Sequence, residues 1–343
     1  MKNLLHIQFT FLFFFITLGF GQQLEPDLPE NQGMSSTRLS NIDRSLTDYI
    51  DNGKLPGSVV LVARNGKIVY HKSFGMSDME NKIPMTNDKI FRIASQTKAL
   101  ISVGIMMLQE EGKLLLSDSL STHIPEFKNS KVAEKKSRKR YRIVKAKRPI
   151  RIRDLMTHTA GIGYGFGPAS NLWKKADLQG WYFAHKDEPI LESIRKMAKL
   201  PMEAHPGEAY VYGYNTDILG AVIEVVSGQP LDVFLKERIL DPLGMVDTHF
   251  YLPKQKTSRL SVVYNQEDYE LVRAEENGDD GSSEHEVTQG HYVNGPRKSF
   301  SGGAGLLSTS SDYAKFLQML LNGGVYNDHR LLSRKSVELM TAD

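Results

Sequence analysis

The chain of 343 residues has no cysteine, which excludes disulfide bonds, thiolate nucleophiles and thiolate metal sites. It also lacks a Gly-x-Ser-x-Gly turn, a His-Glu-x-x-His pair and a glycine-rich phosphate loop after a strand. Beyond the first two dozen residues, no apolar run has the roughly 20 residues that a membrane helix needs. The remaining composition, 40% hydrophobic and 24% charged, is that of a folded globular protein.

The first residues, "MKNLLHIQFTFLFFFITLGFGQQ", have the composition of a secretory signal. Lys2 supplies a positive start, an apolar run follows from Leu4 to Phe20, and small residues precede the polar Gln22. We therefore predict a cleaved signal peptide at 1–21 and a secreted or periplasmic protein. The alternative is an uncleaved membrane anchor, because the run is nearly long enough to span. A polar lead segment, 22–35, comes next.

Acidic residues are scarce between positions 128 and 153, where 13 Lys and Arg accompany a single acid, Glu134. The rest of the chain then holds 30 basic and 39 acidic residues, although the net charge is +3. We expect a basic surface loop here, with cell-wall contact as its functional interpretation and a simply solvated loop as the alternative. Because aromatic residues are not interleaved for base stacking, nucleic acid is not an expected partner.

The remaining pattern predicts a mixed α and β fold. Leu39, Ile42, Leu46 and Ile50 share one helical face, and the β-branched runs on either side of Asn65-Gly66 predict a hairpin. Further helices are predicted at 189–200, on both sides of residues 228–230, and from position 310 onwards.

One apolar helix raises a chemical question, because "FRIASQTKALISVGIMMLQEEG" places Ser95 and Lys98 at its start. Residues three apart share a helix face, so the serine hydroxyl and the lysine amine can lie side by side. Burial disfavours the charged form of a lysine, and a neutral amine can take the proton of a serine hydroxyl. A second Ser-x-x-Lys, from Ser193 to Lys196, lies in a charged segment and is interpreted as chance.

Five segments together resemble the serine β-lactamase and penicillin-binding protein superfamily, in its class C-like, esterase-like branch. They are "LPGSVVLVARNGKIVYHKSFG", "IFRIASQTKALISVGIMMLQEEGKLLLSD", "IRDLMTHTAGIGYGFG", "YVYGYNTDILGAVIEVVSGQPLDVFLKERILDPLGM" and "SGGAGLLSTSSDYAKFLQMLLNGG". The likeness covers residues 36–343, which we expect to form one hydrolase domain. It implies an α+β fold, with an antiparallel sheet flanked by helices and a mainly helical lobe.

The resemblance also implies roles for individual residues. Ser95 is the expected nucleophile, Lys98 its partner and Tyr212 the tyrosine of the second motif, a proton relay above the serine. That motif is Tyr-x-Asn in the family, whereas here Tyr214 stands at the third position and Asn215 follows it. Tyr214 as the relay is the alternative, and Tyr214 and Asn215 are otherwise expected at the substrate. His158 is expected to be a scaffold residue beside the site.

The third motif of the family, Lys-Thr-Gly or an equivalent, has no match in the chain. Lys256 to Ser258 is a near miss that comes too soon after Tyr212. We therefore expect the C-terminal strands of the sheet, with the second oxyanion donor, to be missing from this sequence.

The expected function is that of an exported serine hydrolase that forms an acyl-enzyme on a small ester, a β-lactam amide or a peptide. An esterase or β-lactamase-like activity is favoured over a peptidase, and neither metal nor cofactor is implied. The alternative is a non-catalytic, cell-wall-associated binding protein on the same scaffold, which the incomplete motifs and the basic segment favour.

Overall fold

The computed structural model describes residues 23–137, 140–274 and 290–342, so the predicted signal peptide lies outside the described residues. The chain forms an α+β fold, as predicted. Its strands are β1 Glu25–Pro26, β2 Gly57–Arg64, β3 Lys67–Asp78, β4 Ile83–Pro84, β5 Phe91–Arg92, β6 Lys131–Ser137, β7 Arg140–Lys145, β8 Tyr264–Glu267, β9 Glu270–Arg273, β10 Leu307–Ser308, β11 Val325–Tyr326 and β12 His329–Arg330. Its helices are α1 Ser36–Asp51, α2 Thr97–Glu110, α3 Leu120–His123, α4 Ile152–Met156, α5 Ser170–Lys175, α6 Ile190–Met197, α7 Asn215–Ser227, α8 Leu231–Leu235, α9 Asp241–Leu243, α10 His291–Asn294, α11 Ser310–Leu321 and α12 Arg334–Met340.

The main sheet is built around the predicted hairpin of β2 and β3. These strands pair antiparallel, and the turn between them has positive φ at both Asn65 (52°) and Gly66 (71°), the conformation that favours this dipeptide. The lead segment adds β1 parallel to β3, and β4 pairs with β3 further along. Helix α1 packs on β3, and α11 lies against β2. Within the described residues, β2 is an edge strand of this sheet.

The helical core is centred on α2 and α7. Leu100, Ile101 and Ile105 of α2 and Ile223 of α7 are fully buried. The two helices approach closely at Gly104, where an added Cβ would lie 2.9 Å from Ile223 Cδ1. Because α2 is covered on nearly all sides, its first turn is held rigidly, and this turn carries Lys98.

The basic segment differs from the expected loop. Lys131–Ser137 and Arg140–Lys145 pair antiparallel as β6 and β7, and Glu134 pairs across to Arg142 at 2.6 Å. Val132 and Ala133 are buried and bind the segment to the domain, while most of its lysines and arginines remain in solvent. The prediction of a loop at 128–153 was wrong, because the two buried apolar residues Val132 and Ala133 are too few to give a strand pattern among so many basic residues.

No single helix in the described part of the chain has the length and hydropathy of a membrane span. Only α7 taken together with Leu231–Leu243 reaches those values, and that pair is bent by 84°.

Candidate active site

Ser95 lies just before helix α2, in a single 3-10 turn of residues Ala94–Gln96. The helix begins at Thr97 and not at Ser95, two residues later than the sequence pattern predicts. Ala94 has a φ of +43°, an unfavourable conformation for a residue with a side chain. Strain at this position turns the chain sharply enough to leave the Ser95 side chain exposed to solvent, above the first turn of a buried helix.

Lys98 brings three segments of the chain together. Its Nζ donates a hydrogen bond to Ser95 Oγ at 3.1 Å and another to the carbonyl oxygen of Gly303 at 2.7 Å. The same amine lies 5.1 Å from the centre of the Tyr212 ring. Lys98 is thus close to a hydroxyl, a carbonyl and an aromatic ring, which orient a half-buried amine.

Tyr212 completes the contact set, because its hydroxyl lies 3.0 Å from Ser95 Oγ. Burial raises the pKa of Tyr212, but hydrogen bonds with Ser95 and Lys98 and the charge of Lys98 outweigh that effect, so the pKa lies below its usual value. A lowered pKa increases the fraction of Tyr212 present as phenolate, the form that can accept a proton. Ser95, Lys98 and Tyr212 are therefore brought together as the resemblance implied.

Tyr214 and Asn215 do not face the cleft. Tyr214 is 1% exposed, compared with 44% for Tyr212, and its ring stacks on Trp173. Asn215 is fully buried, and its amide nitrogen donates to the carbonyls of Ile162 and Val211. The expected contact of these two residues with substrate is corrected here: both stabilise the start of α7, directly behind the site.

His158 lies beside the site as a neutral packing residue. Its ring centre is 4.8 Å from that of Tyr212, and its Nδ1 accepts a hydrogen bond from Asn215 at 3.0 Å. Burial and the nearby charge of Lys98 lower the pKa of His158 to about 4. The side chain is therefore uncharged at neutral pH and supports the ring of Tyr212, which agrees with a scaffold role.

Tyr164 is a site residue that the sequence analysis did not single out. Its ring meets that of Tyr212 edge to face, with the ring centres 5.7 Å apart. The surrounding loop, 161–167, is glycine-rich because the Glu203 side chain occupies its inner face. A Cβ on Gly163 would lie 1.9 Å from that carboxylate. The signal in the sequence was the glycine spacing of "GIGYGFG", the segment that contains Tyr164.

The other sequence candidates do not reach the site. Ser193 is fully buried, and its hydroxyl donates to Glu188, which also pairs with Lys196. Lys256 of the near-miss third motif lies in a 3-10 turn, Lys254–Arg259, and pairs with Asp247 at 2.8 Å. In the described ranges no group of His, Cys, Asp or Glu side chains could hold a metal ion.

A groove of about 770 Å³ runs beside the site, between β2 and α11. Ile93 and Gln96, on either side of Ser95, contribute to its wall, and Leu317 and Leu321 lie at the far side. Ser95 itself does not line the groove. The groove thus reaches the two residues Ile93 and Gln96 that flank Ser95 in the chain.

Comparison with known proteins identifies the family and the fold. The sequence profile of the Beta-lactamase family matches residues 42–343. Protein Rv1367c of Mycobacterium tuberculosis is 33% identical over 89% of this chain and 72% of its own length. Esterase EstB of Burkholderia gladioli is 28% identical over 83% of this chain and 71% of its own. Among solved structures, EstCE1, described as a hydrolase with promiscuous acyltransferase activity, superposes with a TM-score of 0.74 at 27% identity, covering 88% of this chain and 76% of its own.

The fold and the matched sequence define a serine hydrolase of the β-lactamase and penicillin-binding protein superfamily. The chain belongs to the Beta-lactamase family. The family resemblance predicted from its motifs is thereby confirmed.

Proposed function

We propose that this protein hydrolyses esters or cyclic amides through an acyl-enzyme formed on Ser95. The observation that carries the proposal is that Ser95 Oγ is within hydrogen-bond distance of both the Lys98 amine, at 3.1 Å, and the Tyr212 hydroxyl, at 3.0 Å. A serine hydroxyl is a weak nucleophile unless a neighbouring base accepts its proton. Tyr212 can accept it in its deprotonated form, which the charged amine of Lys98 favours.

The reaction follows from these contacts. Ser95 Oγ attacks the substrate carbonyl carbon while its proton passes to the Tyr212 and Lys98 pair. The bond to the leaving group then breaks, and the same pair returns the proton to the departing oxygen or nitrogen. Water, activated by Tyr212 in the same way, attacks the acyl-enzyme, releases the carboxylic acid and regenerates Ser95.

The surroundings favour an apolar acyl group over a peptide. Tyr212 borders the serine, Tyr164 packs against Tyr212, and the exposed Tyr210 lies beside His158. Aromatic surface binds aliphatic or aromatic acyl chains through apolar burial. EstB is an esterase and EstCE1 is a hydrolase with promiscuous acyltransferase activity, which supports acyl transfer from an ester. Initial rates on p-nitrophenyl butyrate, nitrocefin and a D-alanyl-D-alanine peptide test this preference. A faster reaction with the peptide than with the ester would refute it.

We also propose that the protein acts outside the cytoplasm and that the hairpin of β6 and β7 contacts an anionic cell-wall polymer. The apolar run from Leu4 to Phe20 and the exposed basic residues of the hairpin support these proposals. Cell fractionation with sequencing of the mature N-terminus tests export. Replacing Lys135, Lys136 and Arg140 by glutamine should reduce sedimentation with purified cell walls at low salt. At low ionic strength, exposed positive charges are screened least and attract an anionic polymer most strongly. Unchanged sedimentation would contradict the wall contact.

Covalent labelling tests the nucleophile. A fluorophosphonate probe should phosphonylate the protein at Ser95, with loss of fluoride, and Ser95→Ala should abolish labelling. The matched control is Ser193→Ala in the second Ser-x-x-Lys, which should label like the wild type because that serine is buried. The site is read by peptide mass spectrometry. Equal labelling of Ser95→Ala would remove the assignment, and a folded wild type that never labels would favour the non-catalytic binding protein.

The relay tyrosine is tested by removing one hydroxyl at a time. Tyr212→Phe should lower kcat on p-nitrophenyl butyrate by about 10²-fold, the typical loss of a general acid–base group. Tyr214→Phe should stay close to the wild type, since its ring packs against Trp173 and does not reach Ser95. The reverse result, with only Tyr214→Phe impaired, would transfer the relay role to Tyr214.

A further inference from the structure

Asp217 is a buried carboxylate behind the site that the reaction as described does not use. It lies in the first turn of α7 and is 1% exposed. Its Oδ1 accepts hydrogen bonds from Ser301 Oγ at 2.6 Å and from the backbone N–H of Gly303 at 2.9 Å. Burying an ionisable side chain is costly unless it has a specific partner, so this residue calls for an explanation.

The partner of Asp217 is the tight turn 301–305, which is fixed at both ends. Ser301 accepts from the Ala304 N–H at its hydroxyl and from the Gly305 N–H at its carbonyl. The next N–H, that of Leu306, donates to Thr97 Oγ1 in the first turn of α2, at 3.1 Å. The turn therefore connects α7, through Asp217, with the start of the helix that carries Lys98.

Gly303 joins this turn to the lysine. Its N–H donates to Asp217, and its carbonyl accepts the 2.7 Å hydrogen bond from Lys98 Nζ. A Cβ on this residue would lie 2.4 Å from Asp217 Oδ2, so only glycine allows the carboxylate to approach so closely. The position of the carbonyl that holds Lys98 is thus set by the carboxylate of Asp217.

We propose that Asp217 is a positioning residue that holds the Gly303 carbonyl where it orients the Lys98 amine toward Ser95. The inference rests on the proposed function, in which Lys98 shares the proton of Ser95. A lysine amine sits on a flexible four-carbon chain, and its contact with the Gly303 carbonyl, the shorter of its two hydrogen bonds, restricts where it points. Misplacing a reacting group by about 1 Å can lower a rate by about 10²-fold.

The electrostatics agree with this arrangement. Burial raises the pKa of Asp217 above its ordinary value, and the hydrogen bonds from Ser301 and Gly303 and the charge of Lys98 offset only part of this rise. The charge of Lys98 thus acts on Asp217 although the two side chains do not touch.

A double-mutant cycle on Ser95 phosphonylation tests the inference, because coupling appears only if Asp217 acts through Lys98. The variants are Asp217→Ala, Lys98→Ala and both together, and the measured quantity is the second-order rate constant with a fluorophosphonate. Asp217→Ala alone should lower this constant by about 10²-fold. In the Lys98→Ala background the same change should cost about threefold or less. Asp217→Asn, which keeps an oxygen at the Oδ1 position, should recover part of the rate.

The control is Asp312→Ala in α11. Asp312 is also buried, at 2% exposure, and accepts from Thr248 and from the Asp247 N–H, but it has no contact with the site. Asp312→Ala should reduce thermal stability, and it should leave the phosphonylation rate constant of the folded protein within about twofold of the wild-type value. If Asp217→Ala does not fold, Ser301→Ala runs through the same cycle, since it removes the 2.6 Å contact and keeps the carboxylate.

The outcomes separate the two proposals. Equal effects of Asp217→Ala, or of Ser301→Ala, in the presence and absence of Lys98 would overturn the positioning role while the acyl-enzyme proposal stands. A wild-type protein that is not phosphonylated at Ser95 would overturn the proposed function first.

Discussion

The arrangement of this protein depends on how it accommodates one lysine at the start of a buried helix. An amine in that position needs hydrogen-bond acceptors, because leaving it without them would cost several kcal/mol. The chain supplies a hydroxyl from the turn before α2 and a carbonyl from the turn after α10, and it places an aromatic ring over the amine from the segment before α7. The three segments are far apart in sequence, so the contacts that satisfy the Lys98 amine also bring the site residues together.

The helical core makes that assembly rigid. Helices α2 and α7 touch at Gly104 and Ile223, and their first turns lie at the same end of the contact, next to the turn 301–305. Thr97 on α2 and Asp217 on α7 each hold one end of this turn. A lysine and a tyrosine that are fixed from both helices lose little further freedom when substrate binds, which is the physical content of a preorganised site.

Much of this could be predicted from the sequence, for reasons that differ between elements. The β2–β3 hairpin follows from the strand pattern around Asn65-Gly66, and the Ser95 and Lys98 pair follows from helical spacing at an apolar run. The hairpin of β6 and β7 could not be predicted, since its anchor is only Val132 and Ala133 among many basic residues. Tyr212 and Tyr214 both precede α7 but differ in exposure, because the Tyr214 ring packs on Trp173 whereas the Tyr212 hydroxyl lies at Ser95. Sequence spacing does not show which of the two is buried. Asp217 was not predicted because its partners lie more than 80 residues away.

The central claim is that Ser95 carries the acyl group during turnover, and rapid-quench mass spectrometry of the intact protein with p-nitrophenyl butyrate tests it most directly. The account predicts a butyryl adduct on Ser95 that forms at least as fast as steady-state turnover and disappears once the ester is consumed. Turnover without such an adduct, or an adduct on a different residue, would contradict the account.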